Sequence, residues 1–405
     1  MPTPVTIIAS GGTPVTNTTG ASPFTPVDSG GVPVTLVGSG GFPVTLVNND
    51  LTLWSDGPTI ELSASTAAEN AASGTKVGTL SLDGDYTGTP TFTLDDSAGG
   101  KFAIDGDDLE TAGALDYETA TSHVVTVSVS GIDPAIDPQD FTITVTNEYD
   151  FTNSEAAAWV AAFTSEPSDA VKGYYDTFVG ALKAASIWTK MDVLWWLGGP
   201  DSQASRINAK DPGNLTLGLV SSPTHTAYRG FTCNGSSSYL TTGYNPTTFG
   251  GQYTLNSAHM SVYSRTEGQL NTTDIGCRVS SSDDFAAVAL RNTSDLAACR
   301  LNQDVNTGPF PPSTTALGFF VGRRSASNAL KMYRNGSSLG TGTEVSQAIP
   351  NLEIFIGAIN QNGSAAQFSA REYLFASVGG SLTDAEVTAF TNAVAAFATS
   401  IGANV

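Results

Sequence analysis

Lys331-Met332-Tyr333-Arg334-Asn335-Gly336-Ser337-Ser338-Leu339-Gly340 is two short extended runs joined by Asn-Gly. Asn-Gly tolerates the left-handed backbone needed at both central positions of a two-residue turn, so the stretch predicts a tight β-hairpin. The same style of sequence continues outward. Residues 191–197 (Met-Asp-Val-Leu-Trp-Trp-Leu) are almost continuously apolar and are stopped by Gly198-Gly199-Pro200, which reads as a buried strand. From there to Gly379 short strand-like runs alternate with Gly/Asn/Ser turns, at 228–233, 239–242, 259–264, 286–290, 317–323, 330–334, 352–358 and 371–378. Eight or more strands in roughly 180 residues is what a two-sheet jelly roll requires.

Downstream, Ser381 and Asp384 stand at capping-box spacing and open a last helix. Its stripe of Val387, Phe390, Val394 and Phe397 is expected to lie on the jelly roll. Upstream, residues 150–187 read as helical. Thr152 and Glu155 have capping-box spacing before Ala156-Ala157-Ala158, and Ser165 and Pro167 start a second helix. Its apolar residues Val171, Tyr174, Tyr175, Phe178 and Leu182 are expected to pack on the next domain or on a partner chain. Residues 58–149 return to short β runs. Val125, Val127 and Val129 alternate with polar residues, as do Phe141, Ile143 and Val145, and about ninety residues suit one immunoglobulin-like sandwich. The expected fold is therefore mainly β and multidomain: a repeat arm (1–57), a sandwich (58–149), a helical linker (150–187) and a jelly roll with a C-terminal helix (188–405).

Of 405 residues, 42 are Gly and 14% are charged, a profile of turn-rich β modules. The net charge of −21, with only 17 Lys and Arg, repels polyanions and argues against a nucleic-acid partner. Cys233, Cys277 and Cys299 form no metal-binding spacing and are expected as free, mostly buried thiols, with a single disulfide as the alternative. The first residues lack a signal peptide's basic and apolar regions, and no apolar run approaches membrane-spanning length. Synthesis in a host cytoplasm and release by lysis, without membrane insertion, is the expectation.

Residues 4–54 repeat. Pro4-Val5-Thr6, Pro14-Val15-Thr16, Pro23-Phe24-Thr25, Pro33-Val34-Thr35 and Pro43-Val44-Thr45 recur every nine or ten residues between Gly-rich breaks. Each unit favours extended chain but is too short to bury a core alone, so the array is either a flexible linker or is ordered by pairing with other chains. Regular spacing favours pairing, and a homotrimer is expected. Tandem Gly-Gly-x-Pro-Val-Thr-Leu-Val units, as at Gly30–Val37 and Gly40–Val47, resemble the amino-terminal segments of bacteriophage and prophage fibre proteins. The resemblance implies a virion protein (a head-, neck- or tail-associated fibre or decoration protein) fixed to other virion proteins through residues 1–57.

Two further resemblances follow. Ala68-Glu69-Asn70-Ala71, Gly74-Thr75-Lys76-Val77-Gly78-Thr79-Leu80, Phe102-Ala103-Ile104-Asp105 and Leu115-Asp116-Tyr117-Glu118 resemble a cadherin-type repeat. That resemblance implies calcium ligation by Glu69, Asp116 and Glu118, with Asp83 or Asp85 assisting; the alternative is a sandwich with solvated carboxylates, and no other cofactor is expected. Phe231-Thr232-Cys233-Asn234-Gly235-Ser236-Ser237-Ser238-Tyr239-Leu240-Thr241-Thr242-Gly243-Tyr244 resembles the strand-turn-strand of concanavalin-like, laminin-G-like jelly rolls. Met332-Tyr333-Arg334-Asn335-Gly336 and the ending from Gly379 to Glu386 agree with it. Such modules mostly bind glycans or proteins, and a minority hydrolyse polysaccharides.

Hydrolysis would need paired carboxylates or a nucleophile with its base. No Glu-x-Asp-x-Glu strand occurs, Glu344, Glu353 and Glu372 stand alone, and His123, His225 and His259 have no obvious Ser or Cys partner in sequence. No enzyme is expected. For glycan binding, the candidate residues are Tyr239, Tyr244, Asn245, Asn292, Arg323, Arg324 and Tyr333, each of which has a packing role as its alternative. The readings are thus a phage fibre or decoration protein whose distal jelly roll binds host-surface glycan, a virion-borne depolymerase, or a bacterial adhesin.

Overall fold

A computed structural model describes residues 7–8, 14–15, 58–280, 284–303 and 309–405. Most of the repeat array lies outside the described residues; within it, Ile7–Ile8 pairs antiparallel with Pro14–Val15. The chain divides into two compact units, Met1–Glu148 and Tyr149–Val405. The fold is mainly β, as the alternating sequence patterns imply.

The first unit holds a sandwich of two four-stranded sheets. Its strands are β1 (Thr59–Leu62), β2 (Thr66–Ala68), β3 (Lys76–Asp83), β4 (Thr87–Asp96), β5 (Phe102–Asp105), β6 (Asp108–Thr111), β7 (Ser122–Asp133) and β8 (Gln139–Thr146). One sheet runs β1-β3-β6-β5 and the other β2-β8-β7-β4, with β2 parallel to β8. Val125, Val127, Ile143 and Val145 point inward and are buried, which is the period-two face read from the sequence.

In the second unit, α1 (Ser154–Ala161) and α2 (Asp169–Ala184) lead into β9 (Met191–Trp196). Short strands β10 (Gly218–Val220), β11 (Thr224–Thr226), β12 (Gly230–Thr232) and β13 (Tyr239–Thr241) precede the turn-length helix α3 (Pro246–Phe249). Then follow β14 (Ala258–Ser264), β15 (Ile275–Arg278), β16 (Phe285–Ala289), β17 (Ala298–Gln303), β18 (Gly318–Ala326), β19 (Ala329–Arg334) and β20 (Ser337–Gly342). The last elements are β21 (Phe355–Ile356), β22 (Ile359–Gln361), β23 (Ser364–Ala366), β24 (Glu372–Gly379) and α4 (Asp384–Ser400). Each of the unit's two sheets has eight strands: the first runs β11-β12-β24-β14-β18-β19-β20, with β9 also paired to β24, and the second runs β10-β13-β21-β15-β16-β17, with the β22–β23 hairpin attached to β15.

Three layers result. Val193, Trp195, Met260, Val262, Ile275, Val288, Ile356 and Val378 fill the space between the sheets. On the other face of the first sheet, Leu194, Trp196 and Phe375 meet Phe178 of α2 and Phe390 and Phe397 of α4. β9 is therefore covered on both faces, which is why its sequence is apolar at consecutive positions rather than alternating. The segment 150–187 belongs to this unit and caps its core rather than acting as a linker, because the burying face of α2 lies against α4 and the sheet. At Gly230 (φ +120) a Cβ would collide with the Tyr373 carbonyl oxygen, so only glycine lets β12 approach β24 there.

The expected hairpin forms between β19 and β20, with Asn335 and Gly336 at φ 47 and 78. Three helix starts differ from expectation, and α2 begins at Asp169 behind Ser168 rather than at Ser165 and Pro167. α1 is not closed by Thr152 and Glu155; Asp176 of α2 instead accepts from the backbone N–H groups of Thr152 (2.9 Å) and Asn153 (2.8 Å). α4 is capped by Thr383 and Glu386, not by Ser381 and Asp384, because Asp384 is drawn to Lys331 and Tyr333. All three cysteines are free and buried. Among the described residues no helix is long and apolar enough to cross a membrane.

Candidate functional site

At one end of the sandwich, the chain leaving β2 and the turn between β6 and β7 bring Glu69, Asp116 and Glu118 together. One carboxylate oxygen from each lies within 4.8 Å of the others. Glu69 is only 3% exposed and is fixed by its backbone contacts: Oε1 accepts from the Glu148 N–H (2.6 Å) and Oε2 from the Tyr117 N–H (2.9 Å). Asp116 accepts from the Thr119 hydroxyl and N–H, and these hydrogen bonds hold its carboxyl below the usual range. Glu118 accepts from the Asn147 amide (3.0 Å). No Lys or Arg among the described residues forms an ion pair with the three. Three hard carboxylates with spare lone pairs and no ion-paired Lys or Arg among the described residues fit an oxygen-seeking cation such as calcium, with backbone carbonyls and water completing the shell. Asp83 and Asp85 do not join them. Asp83 ends β3 opposite Thr59, and an eight-residue strand places it about 25 Å along the sandwich from the Lys76 end.

If calcium binds here, chelator is expected to lower the melting temperature, since a cation at a hundred times its Kd stabilises by about 2.7 kcal/mol. Asp116→Asn with Glu118→Gln keeps Glu69 as a backbone acceptor and is expected to abolish the chelator effect. Identical melts with and without chelator would instead identify the carboxylates as solvated surface charge.

The jelly-roll candidates divide sharply. Tyr244 is fully buried and donates to Asp192 at 2.8 Å. Arg324 is fully buried and donates to the Leu301 and Glu344 carbonyls and the Gln303 side chain. Asn245 caps α3, and Asn292 accepts from Ser294 and Leu296 within its own turn. These four support the fold. Arg323 and Tyr333 do come together: the guanidinium lies 5.4 Å over the ring, pairs with Asp384 at 2.7 Å, and Tyr333 donates to the same carboxylate at 2.6 Å. This cluster pins α4 to the sheet, and with Tyr333 buried it presents no aromatic face. Tyr239 alone remains as expected for a ligand contact, half-buried with its ring 4.8 Å from Phe355 and 6.0 Å from Phe368. Leu240 beside it points into the core, so Tyr239 and Thr241 face outward from the second sheet. Phe355 and Phe368 were not among the sequence candidates. The signal for Phe355 is the alternation Ile354-Phe355-Ile356, with both isoleucines inward.

One pairing also went unread in sequence. Ser205 Oγ lies 2.8 Å from His225 Nε2, a serine–histidine geometry. Burial holds the His225 imidazole below its usual pKa, so it is neutral at pH 7. Yet Ser205 is fully buried, accepts the Gly199 N–H (2.9 Å) and contacts the Asp201 carbonyl (2.7 Å). A hydroxyl engaged on three sides, with no open surface, fastens the 198–206 loop and cannot reach a substrate.

No protein-family model and no curated protein matches the chain. Solved structures give partial likenesses to cadherin repeats and to carbohydrate-binding jelly-roll domains. Human protocadherin-24 EC1-2 is 24% identical over 22% of this chain and 43% of its own, with a TM-score of 0.19. A botulinum neurotoxin type C structure, whose printed description ties cell entry to two ganglioside molecules, is 11% identical over 52% of each chain, with a TM-score of 0.38. The CBM40 of a Ruminococcus gnavus sialidase is 15% identical over 34% of this chain and 83% of its own, with a TM-score of 0.27.

Proposed function

We propose that the chain is a bacteriophage structural protein, a fibre or decoration protein, whose arm of residues 1–57 fixes three copies to other virion proteins and whose jelly roll binds host-surface glycan without cleaving it. The virion half rests on the Pro-Val-Thr repeats. The binding half rests on one observation: half-buried Tyr239 and Phe368 on the outward side of the second sheet, backed by the buried Phe355 ring and tilted to one another, form an apolar surface of the kind that accepts a sugar ring. No accessible nucleophile–base pair stands beside it among the described residues. Weak single-site binding suits such a protein, because three linked copies raise avidity about 10²–10⁴-fold.

The full chain is expected to scatter light as a trimer and to be retained by immobilised host polysaccharide. A chain starting at Pro58 should be monomeric and weakly retained, and Tyr239→Ala with Phe368→Ala should abolish retention at unchanged melting temperature. New reducing ends accumulating with time would overturn the binding-only reading and favour a depolymerase. A monomeric full chain would sink the trimer.

A further inference from the structure

We propose that Arg278 and Arg300, on the outer face of the second sheet, form an anion subsite for a carboxylate-bearing saccharide. This deepens the glycan-binding reading and rests on it. Arg278 stands opposite Phe285 across β15 and β16, and Arg300 opposite Ala287 across β16 and β17. Both guanidinium groups face the Phe285 ring, at 5.5 and 5.0 Å, and Arg300 also lies 4.8 Å from the ring of Phe310, which is 38% exposed. The aromatic rings hold the two planar cations in place before any ligand arrives, so little side-chain entropy is left to lose on binding.

Among the described residues neither arginine forms an ion pair with an Asp or Glu. Arg229, Arg265, Arg291, Arg323 and Arg371 each meet an Asp or Glu, and Arg206, Arg324 and Arg334 donate to backbone carbonyls. Arg278 donates only to Gln361 Oε1, and Arg300 makes no hydrogen bond among the described residues; its Nε is buried without a partner. Burial lowers both guanidinium pKa values, and at Arg300 the neighbouring Arg278 charge adds to it. In a chain of net charge −21, two adjacent arginines that meet no carboxylate among the described residues are an unsatisfied electrostatic arrangement. A carboxylate is the ligand that satisfies it, since guanidinium presents paired N–H groups matched to two oxygens.

The saccharide part follows from register. Phe355 is opposite Gly276, Gly276 opposite Ala287, and Ala287 opposite Arg300, so one row crosses the sheet from the Tyr239–Phe355 cluster to the arginines. Three strand spacings make this about 14 Å, and because Ile359 and Ala366 of the β22–β23 hairpin pack on Phe285 and Ala287 between the two ends, a short oligosaccharide spans that hairpin to set its ring on the aromatics and its acid group on the arginines.

The test uses the full chain and calorimetric titration with acidic oligosaccharides (oligogalacturonate, oligoalginate, sialyllactose), carboxyl-reduced or neutral counterparts, and inorganic sulfate. An acidic oligosaccharide should bind, at least tenfold more tightly than its neutral counterpart and less tightly as salt rises. Arg300→Gln and Arg278→Gln should each remove that advantage, while Arg300→Lys, which keeps the charge and loses the fork, should retain part of it. Melting curves of all variants verify folding. Neutral and acidic sugars bound equally, with no effect of the arginine variants, would overturn the subsite and leave glycan binding standing. Arginine-dependent sulfate binding with no saccharide bound would overturn the saccharide assignment, and no binding by any probe would overturn both readings.

Discussion

Arg371→Met is expected to destabilise the second unit by about 3–5 kcal/mol, because it strands a carboxylate in the core. Asp274 and Arg371 are 1% and 0% exposed and meet at 3.0 Å. Asp274 Oδ1 also accepts from the Tyr373 hydroxyl (2.6 Å) and Ser369 (3.2 Å), and Oδ2 from the Leu290 N–H (2.9 Å). Arg371 donates onward to the Gly268 (3.0 Å) and Arg291 (3.2 Å) carbonyls. One buried pair thus ties the end of β24 to the segments before β15 and after β16. For a unit of this size the loss corresponds to a fall of roughly 6–20 °C in melting temperature. Asp274→Asn alone leaves the guanidinium uncompensated and is expected to cost a similar amount. The double variant should cost clearly less than the sum, with a coupling of about 1–3 kcal/mol in urea unfolding. Strictly additive losses would mean that the two side chains do not act as a pair.

What could be read in the sequence was short-range or periodic. Asn335-Gly336 announces its turn because the requirement for positive φ is met by two adjacent residues. The α4 stripe was legible because Val387, Phe390, Val394 and Phe397 repeat at helical spacing, and all four are buried. Caps were less legible, since two overlapping frames compete at 381–386 and only the tertiary pull of Lys331 and Tyr333 on Asp384 decides between them.

The sites divide the same way. Glu69, Asp116 and Glu118 converge through a turn that a family resemblance could indicate. Tyr244 and Arg324 look like exposed ligand contacts until Asp192 and Leu301 arrive from distant strands to claim them. Arg278 and Arg300 carry no local signal, because what sets them apart is that among the described residues they meet neither a carboxylate nor a backbone carbonyl, a property of the folded sheet and not of neighbouring residues.

Lowering the pH from 6.5 to 4 is expected to cost about 3 kcal/mol through His259 alone. The imidazole is fully buried between β14, β24 and α4, with Nδ1 2.6 Å from the Gly380 carbonyl oxygen, Nε2 3.1 Å from Ser377 Oγ, and the Phe390 ring edge-on at 6.4 Å. A carbonyl can only accept, so Nδ1 carries the proton. Nε2 then accepts from the Ser377 hydroxyl, and Ser261, 2.6 Å away, donates to Ser377. The pocket is therefore built for neutral histidine. Burial pushes its pKa down to about 4; the Gly380 carbonyl and the Asp192 charge oppose this, and Lys190 adds to it. The unfolded chain binds the proton at about pH 6.5 and the folded chain only near 4, so stability is complete above 6.5 and is lost as pH falls through that window. His225 and His123 are also held low by burial and act in the same direction. Glu267 and Asp384, both held at about 2, lose their contributions lower, as pH falls below the ordinary carboxylate range. His259→Gln removes the titration at a fixed cost. Its melting temperature should be lower than wild type at pH 7.5 and should fall less between pH 6.5 and 4. Parallel wild-type and variant curves across that window would show that His259 is not the group responsible.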